Sequence, residues 1–141
     1  MSTSTHKTLR VAVWDTYARK ANGCVLHFDI IVPEDMQKQD KIFEFGKQYL
    51  KDKGEPQAIL NASYCQFCHL EQITLEIKNT ISKQGYFILE MEEIPLRLSN
   101  SPTRREIILY LKAHNEKFRF KNFSGISTEE VKRLLEGEII N

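Results

Sequence analysis

Two alternating, β-branched runs separated by Asn22-Gly23 constrain this chain more than any other feature. In the first, Leu9, Val11, Val13 and Asp15 fall on one side of an extended chain, and Arg10, Ala12, Trp14 and Thr16 on the other. The second, Cys24 to Val32, reads as a strand stopped by Pro33. Asn-Gly tolerates the positive φ angles of a tight turn, so the two runs are expected to pair as an antiparallel hairpin.

The periodicity then becomes helical. Ile42, Phe45, Gly46 and Tyr49 lie on an i, i+3, i+4, i+7 stripe inside a helix from about Asp35 to Asp52, ended by Gly54 and Pro56. Ala58 to Tyr64 is a weaker strand candidate, and Cys65 to His69 reads as a tight loop. A helix from about Glu71 to Gln84 carries Ile73, Ile77 and Ile81, with Gly85 as its stop. Tyr86 to Met91 is a strand. The order ββαβαβ predicts an α+β fold: a mixed, mostly antiparallel sheet with helices on one face.

From Pro95 the character changes. Residues 95–141 hold nine basic and six acidic residues, although the whole chain is nearly neutral at +1. Pro102 suits a first-turn position of a helix from Arg104 to Ala113. Ser127 to Glu130 is a capping-box sequence that starts a last helix, stopped at Gly137. The expected organisation is a flexible N-terminus over 1–8, an α+β core over 9–94, and a C-terminal helical extension over 95–141. That extension packs on the core or on a partner subunit, which leaves a homo-oligomer open.

The balanced charge argues against a dedicated nucleic-acid binder. The polar start, Met1 to Thr8, lacks a signal-peptide pattern, and no apolar run approaches the roughly 18–20 residues that span a bilayer. The expected compartment is the cytoplasm, with no membrane partner. In that reducing setting Cys24, Cys65 and Cys68 are thiols or metal ligands rather than disulfides.

Cys65-Gln66-Phe67-Cys68-His69 is the most distinctive chemical motif. Two thiolates at this spacing can grip one zinc ion, form a reducible disulfide, or anchor c-type haem. Haem attachment needs export. Thioredoxin-like chemistry needs a different element order and an opposing cis-proline. For zinc, Cys65, Cys68 and His27 are the better set, completed by His69 or Asp29. Cys24 and His27 are three apart in a strand and point to opposite faces. The plain alternative is that the cysteines pack as small hydrophobes.

Asp15, His27 and Asp29 interrupt otherwise apolar strands. A carboxylate–imidazole pair can do acid–base work, or support a metal-bound His27 from the second shell; the plain alternative places them at solvent. Lys117 to Phe123 interleaves basic and aromatic residues, as a nucleic-acid-stacking strand would, or packs Phe118, Phe120 and Phe123 inward with its cations outward.

Four motifs together resemble a small bacterial family, domain of unknown function 2024. They are Val13-Trp14-Asp15-Thr16-Tyr17, Leu26-His27-Phe28-Asp29-Ile30, Cys65 to Glu71, and Gly85 to Met91. The resemblance covers roughly Leu9 to Glu93 and leaves the extension outside. It implies the α+β fold and no activity. Three functional expectations stand. The leading one is a binding or interaction protein with a structural cysteine loop, with or without zinc. The others are a thiol- or metal-dependent enzyme using Cys65 and Cys68, and an RNA- or protein-binding adaptor using 117–123.

Overall fold

The computed structural model describes residues 10–60, 65–72 and 74–140, and for 69–72 and 139–140 the backbone alone. The chain runs β1 (Arg10–Arg19), β2 (Val25–Pro33), α1 (Gln39–Asp52), β3 (Cys65–Gln72), α2 (Leu75–Gln84), β4 (Phe87–Ile94), α3 (Arg104–His114), a 3-10 turn (Glu116–Phe118) and α4 (Thr128–Ile140). The sheet order is β3-β1-β2-β4, and every pairing is antiparallel. The α+β class, the ββαβαβ order and the C-terminal helical extension agree with the sequence pattern. The expected flexible segment 1–8 and the helix residue Ile73 lie outside the described residues.

The hairpin forms as its turn residues dictate. The Gly23 amide donates to Lys20 O, and the Lys20 amide to Cys24 O. Gly23 takes φ +88°, a region closed to most side chains. This closure fixes the register: Asp15 faces Asp29, and Tyr17 faces His27.

The helices divide between the two faces of the sheet instead of gathering on one. Both sides of the hairpin are apolar, so both must be covered. On one face Ala12, Phe28, Ile30 and Val32 pack with Ile42 and Leu50 of α1. On the other, Val11, Val13 and Ile31 pack with Ile77 and Ile81 of α2. Tyr17, Val25 and Ile94 meet Leu109 and Ala113 of α3. The extension therefore seats on this chain's own sheet. It also has a small core of its own, with Ile107, Leu111, Phe118, Phe123 and Val131.

Several helix ends follow the sequence signals, but α1 and α2 begin about four residues later than expected, at Gln39 and Leu75, and Pro102 precedes the N-cap of α3 instead of lying in its first turn. Thr103 and Glu106 form a reciprocal capping box at α3, Ser127 accepts from the Glu130 amide before α4, and Gly85 ends α2 at φ +95°. α4, however, runs through Gly137 to Ile140. A single glycine costs a helix only about 1 kcal/mol, and Val131 and Leu134 hold this one to the extension's core.

Candidate functional site

The cysteine motif lies in a strand, not in a loop. Thr16 pairs with Cys65 and Trp14 with Phe67, then the register shifts so that Val13 pairs with His69. Cys68 is the extra residue of this β-bulge, which explains why its alternation does not read as a strand. Cys65 is buried and Cys68 exposed. Cys65 shares the α1 face with Phe28 and Ile30, and its Sγ lies 3.3 Å from Thr16 Oγ1. Burial pushes the Cys65 thiol up to about 11; the Thr16 hydroxyl opposes this and the nearby Asp15 charge adds to it.

His27 lies on the opposite face, across from Tyr17. The sheet thus separates Cys65 from His27, and Cys68 stands at the exposed bulge. The side chain of His69 lies outside the described residues. Cys24 precedes β2 beside the turn, half-buried.

What converges is a different set. Between the α2 and α3 contacts the sheet face turns polar. His27 Nε2 is 2.5 Å from Asp15 Oδ1, and Nδ1 is 3.3 Å from Glu92 Oε1, off the line of a good hydrogen bond. Asp29 completes the group. Asp15, His27 and Asp29 each offer a ligand atom, all within 4.8 Å of one another. Among the described residues no other group of three such side chains is this close. The His27 and Asp15 side chains are 12% and 19% exposed, so the cluster is screened from solvent yet reachable. Burial disfavours the imidazolium, but the Asp15 hydrogen bond, the Asp15 charge and Glu92 outweigh it and raise the His27 pKa.

Tyr17 supports the cluster from the side. Its ring stacks on the His27 ring at 4.5 Å and 5°. It is 1% exposed, and its hydroxyl has no hydrogen-bond partner among the described residues. Burial, with the charges of Asp15 and Glu92, pushes the Tyr17 pKa far up. Behind Tyr17 stands Arg119, 2% exposed, its guanidinium 5.9 Å from the ring centre. Arg119 donates to the carbonyls of Lys112 and Ala113. These end α3, where a cation offsets the helix dipole and the free carbonyls. That helix end accounts for an arginine pointing inward, against the expectation of outward cations along 117–123. Phe118 and Phe123 are buried, and Phe120 packs edge-on to Tyr17.

Beside His27 a shallow cavity of about 220 Å³ opens at the β4 edge, lined by Glu90, Glu92 and Glu93 among others. The pairing shifts here, from Leu26–Glu93 to Phe28–Glu90, so His27 faces an irregular stretch of β4. Lys53 lies in this cavity too, 2.6 Å from Glu90.

A family model described as "Domain of unknown function (DUF2024)" matches residues 9–91. The chain belongs to this family. An NMR structure of protein NE1680 from Nitrosomonas europaea shares 38% identity and a TM-score of 0.54, covering 60% of this chain and 96% of that one. No curated protein matches. Asp15, Tyr17, His27 and Asp29 fall within the DUF2024 segment. Glu92 and Arg119 lie beyond its end.

Among the described residues, no helix is long and apolar enough to cross a membrane. Glu92 and Tyr17 were not among the sequence candidates, and Arg119 was one only as an outward cation of the 117–123 segment. One signal does point to the core of the cluster: a hairpin closed at Asn22-Gly23 sets Asp15 opposite Asp29 and Tyr17 opposite His27.

Proposed function

We propose that this chain is a binding protein for a positively charged ligand, and that the ligand seats on the His27 cluster rather than on the cysteines. The observation that carries this reading is the convergence of Asp15 and Glu92 on one half-buried imidazole, with Asp29 beside them. Three carboxylates gather around one imidazole in a partly desolvated place, with exposed Arg105 3.8 Å from Glu92 as a partial counter-charge. There a complementary cation is held more strongly than at an open surface. The acidic cavity at the β4 edge gives a route to it.

The thiol reading has less support. A thiol held up at about 11 is a poor nucleophile near neutral pH, and Cys65 and His27 occupy opposite faces. The adaptor reading loses its stacking platform, because Phe118 and Phe123 are buried and Phe120 packs on Tyr17. A cytoplasmic location belongs to the same proposal, in keeping with three cysteines that are not joined in disulfides.

Amide NMR titrations of the full chain with spermidine, agmatine, ZnCl2 and MnCl2 test this. At least one cation should shift or broaden the signals of Asp15, Tyr17, His27 and Asp29 first. Perturbation centred on Cys65 and Cys68, or none at the His27 cluster with any of the four, would overturn the proposal.

A further inference from the structure

We infer that the ligand is a single divalent metal ion of the first-row transition series or zinc (Zn2+, Mn2+, Co2+ or Ni2+), held by Asp15, His27 and Asp29 with Glu92 as a positioning residue. This rests on the cation-binding reading above and narrows it.

The first argument is geometric. Nitrogen and oxygen ligands sit about 2.0–2.2 Å from such an ion, so two ligands on opposite sides of it are at most about 4.4 Å apart. The three candidate atoms already lie within 4.8 Å of one another, and a small side-chain rotation closes the difference. They project from two hydrogen-bonded strands, at positions fixed by the hairpin register. Asp15 and His27, 2.5 Å apart across a hydrogen bond, would part to about 3 Å or more to admit the ion between them.

The second argument is energetic. Asp15 and Asp29 are direct cross-strand partners, and like charges so placed destabilise a sheet. Glu92, at 3.3 Å from the His27 ring, adds a third carboxylate. A divalent cation turns this repulsion into attraction.

Tyr17 supplies an independent observation. Its hydroxyl is buried, has no partner among the described residues, and lies in the field of Asp15 and Glu92, opposed by Arg119. A buried hydroxyl left without a hydrogen bond costs about 1–3 kcal/mol, a cost that a water or ion beside the His27 ring would relieve.

The surroundings of His27 also fit a metal ligand. Metal-bound histidines almost always present their second ring nitrogen to a carboxylate, carbonyl or water. Here Asp15 stands at Nε2, and Glu92 lies 3.3 Å from Nδ1, where a small rotation would align it. One imidazole with two carboxylates suits Zn2+ and the first-row divalent ions. Soft Cu(I) prefers sulfur, and Ca2+ prefers six to eight oxygens.

The test is calorimetry on the full chain, stripped with EDTA and titrated separately with ZnCl2, MnCl2, CoCl2, NiCl2 and CaCl2. At least one of the first four should bind at one equivalent, and more tightly than Ca2+. Asp29→Asn should weaken that binding at least tenfold, His27→Gln at least a hundredfold, and Glu92→Gln about tenfold or more. Cys68→Ser should leave it unchanged. Circular dichroism and thermal melts confirm that each variant is folded, and Glu92→Gln, which keeps the side chain's shape, carries the test if His27→Gln does not fold. No binding by the unaltered protein up to 1 mM of each ion, roughly the weak limit of useful affinity, would overturn the inference. So would unchanged binding in both Asp29→Asn and Glu92→Gln, or loss in Cys68→Ser. If spermidine or agmatine perturbs the cluster while no metal binds, the metal inference falls and the cation reading stands; if neither binds, both fall.

Discussion

His27 and Phe28 are neighbours on β2, yet they look onto different chemistries. Phe28 is fully buried beneath α1, its ring 4.6 Å from Tyr49. One residue back and on the other face, His27 sits among Asp15, Glu92 and a stacked tyrosine. The same alternation that buries Ala12, Phe28 and Ile30 lifts Asp15, His27 and Asp29 to the opposite side. There α2 and α3 cover the ends of the face, and the charged middle lies between their contacts. The α1 face carries the larger apolar cluster; the other is apolar at both ends and gives up contact only in its middle, where it holds charge.

The sharpest way to break that contrast is to cut into each face and compare. Phe28→Ala should cost about 3–5 kcal/mol, the usual penalty for emptying an aromatic core position, read as a shift in the urea midpoint. A loss under 1 kcal/mol would mean that the α1 face does not carry the main apolar core. The thiols offer a kinetic comparison. With Cys65 near 11 against an ordinary thiol near 8.5, iodoacetamide at neutral pH should modify exposed Cys68 about a hundredfold or more ahead of Cys65. Equal rates would show that Cys65 is open to solvent.

Asp15→Asn probes the charged face in the metal-free protein. It should cost about 1–3 kcal/mol near pH 5.5, the range for a hydrogen bond to a charged group. The sign follows from His27, whose pKa is raised in the fold. The stabilisation is complete below the unfolded value near 6.5. It disappears as pH rises through the higher folded value. Urea unfolding at pH 5.5 and pH 8.5 should therefore show a penalty that shrinks on going alkaline, and a constant penalty would remove the imidazolium from the account. The smallest effect is expected at the exposed edge. Lys53→Met breaks the pair with Glu90 and should cost under about 1 kcal/mol.

Parts of this were legible in the residues and parts were not. The hairpin, the two core helices and α3 follow from Asn22-Gly23, from the apolar stripes around Ile42 and Ile77, and from the helical run after Pro102, all local signals. β3 was not legible: a bulge at Cys68 breaks the alternation, and an edge strand needs no continuous apolar side. The strand expected over 58–64 leaves one trace among the described residues, the Ile59 bridge to Arg19. The division of helices between faces was hidden because it depends on which apolar side each helix meets. Half of the site was visible as polar residues in apolar strands. Glu92 was not, because its approach to His27 depends on an irregularity in β4. Arg119 was not, because its burial depends on where α3 ends.

The most direct measurement is paramagnetic broadening by substoichiometric Mn2+ in amide NMR spectra of the full chain. The account predicts that the β1 and β2 amides around Asp15, Tyr17, His27 and Asp29 lose intensity first, while the amides of Asp40 and Glu44 in α1, which packs on the other face, fade later. Broadening that begins at Cys65 and Cys68, or that spreads evenly over exposed acids such as Asp40 and Glu44, would contradict it.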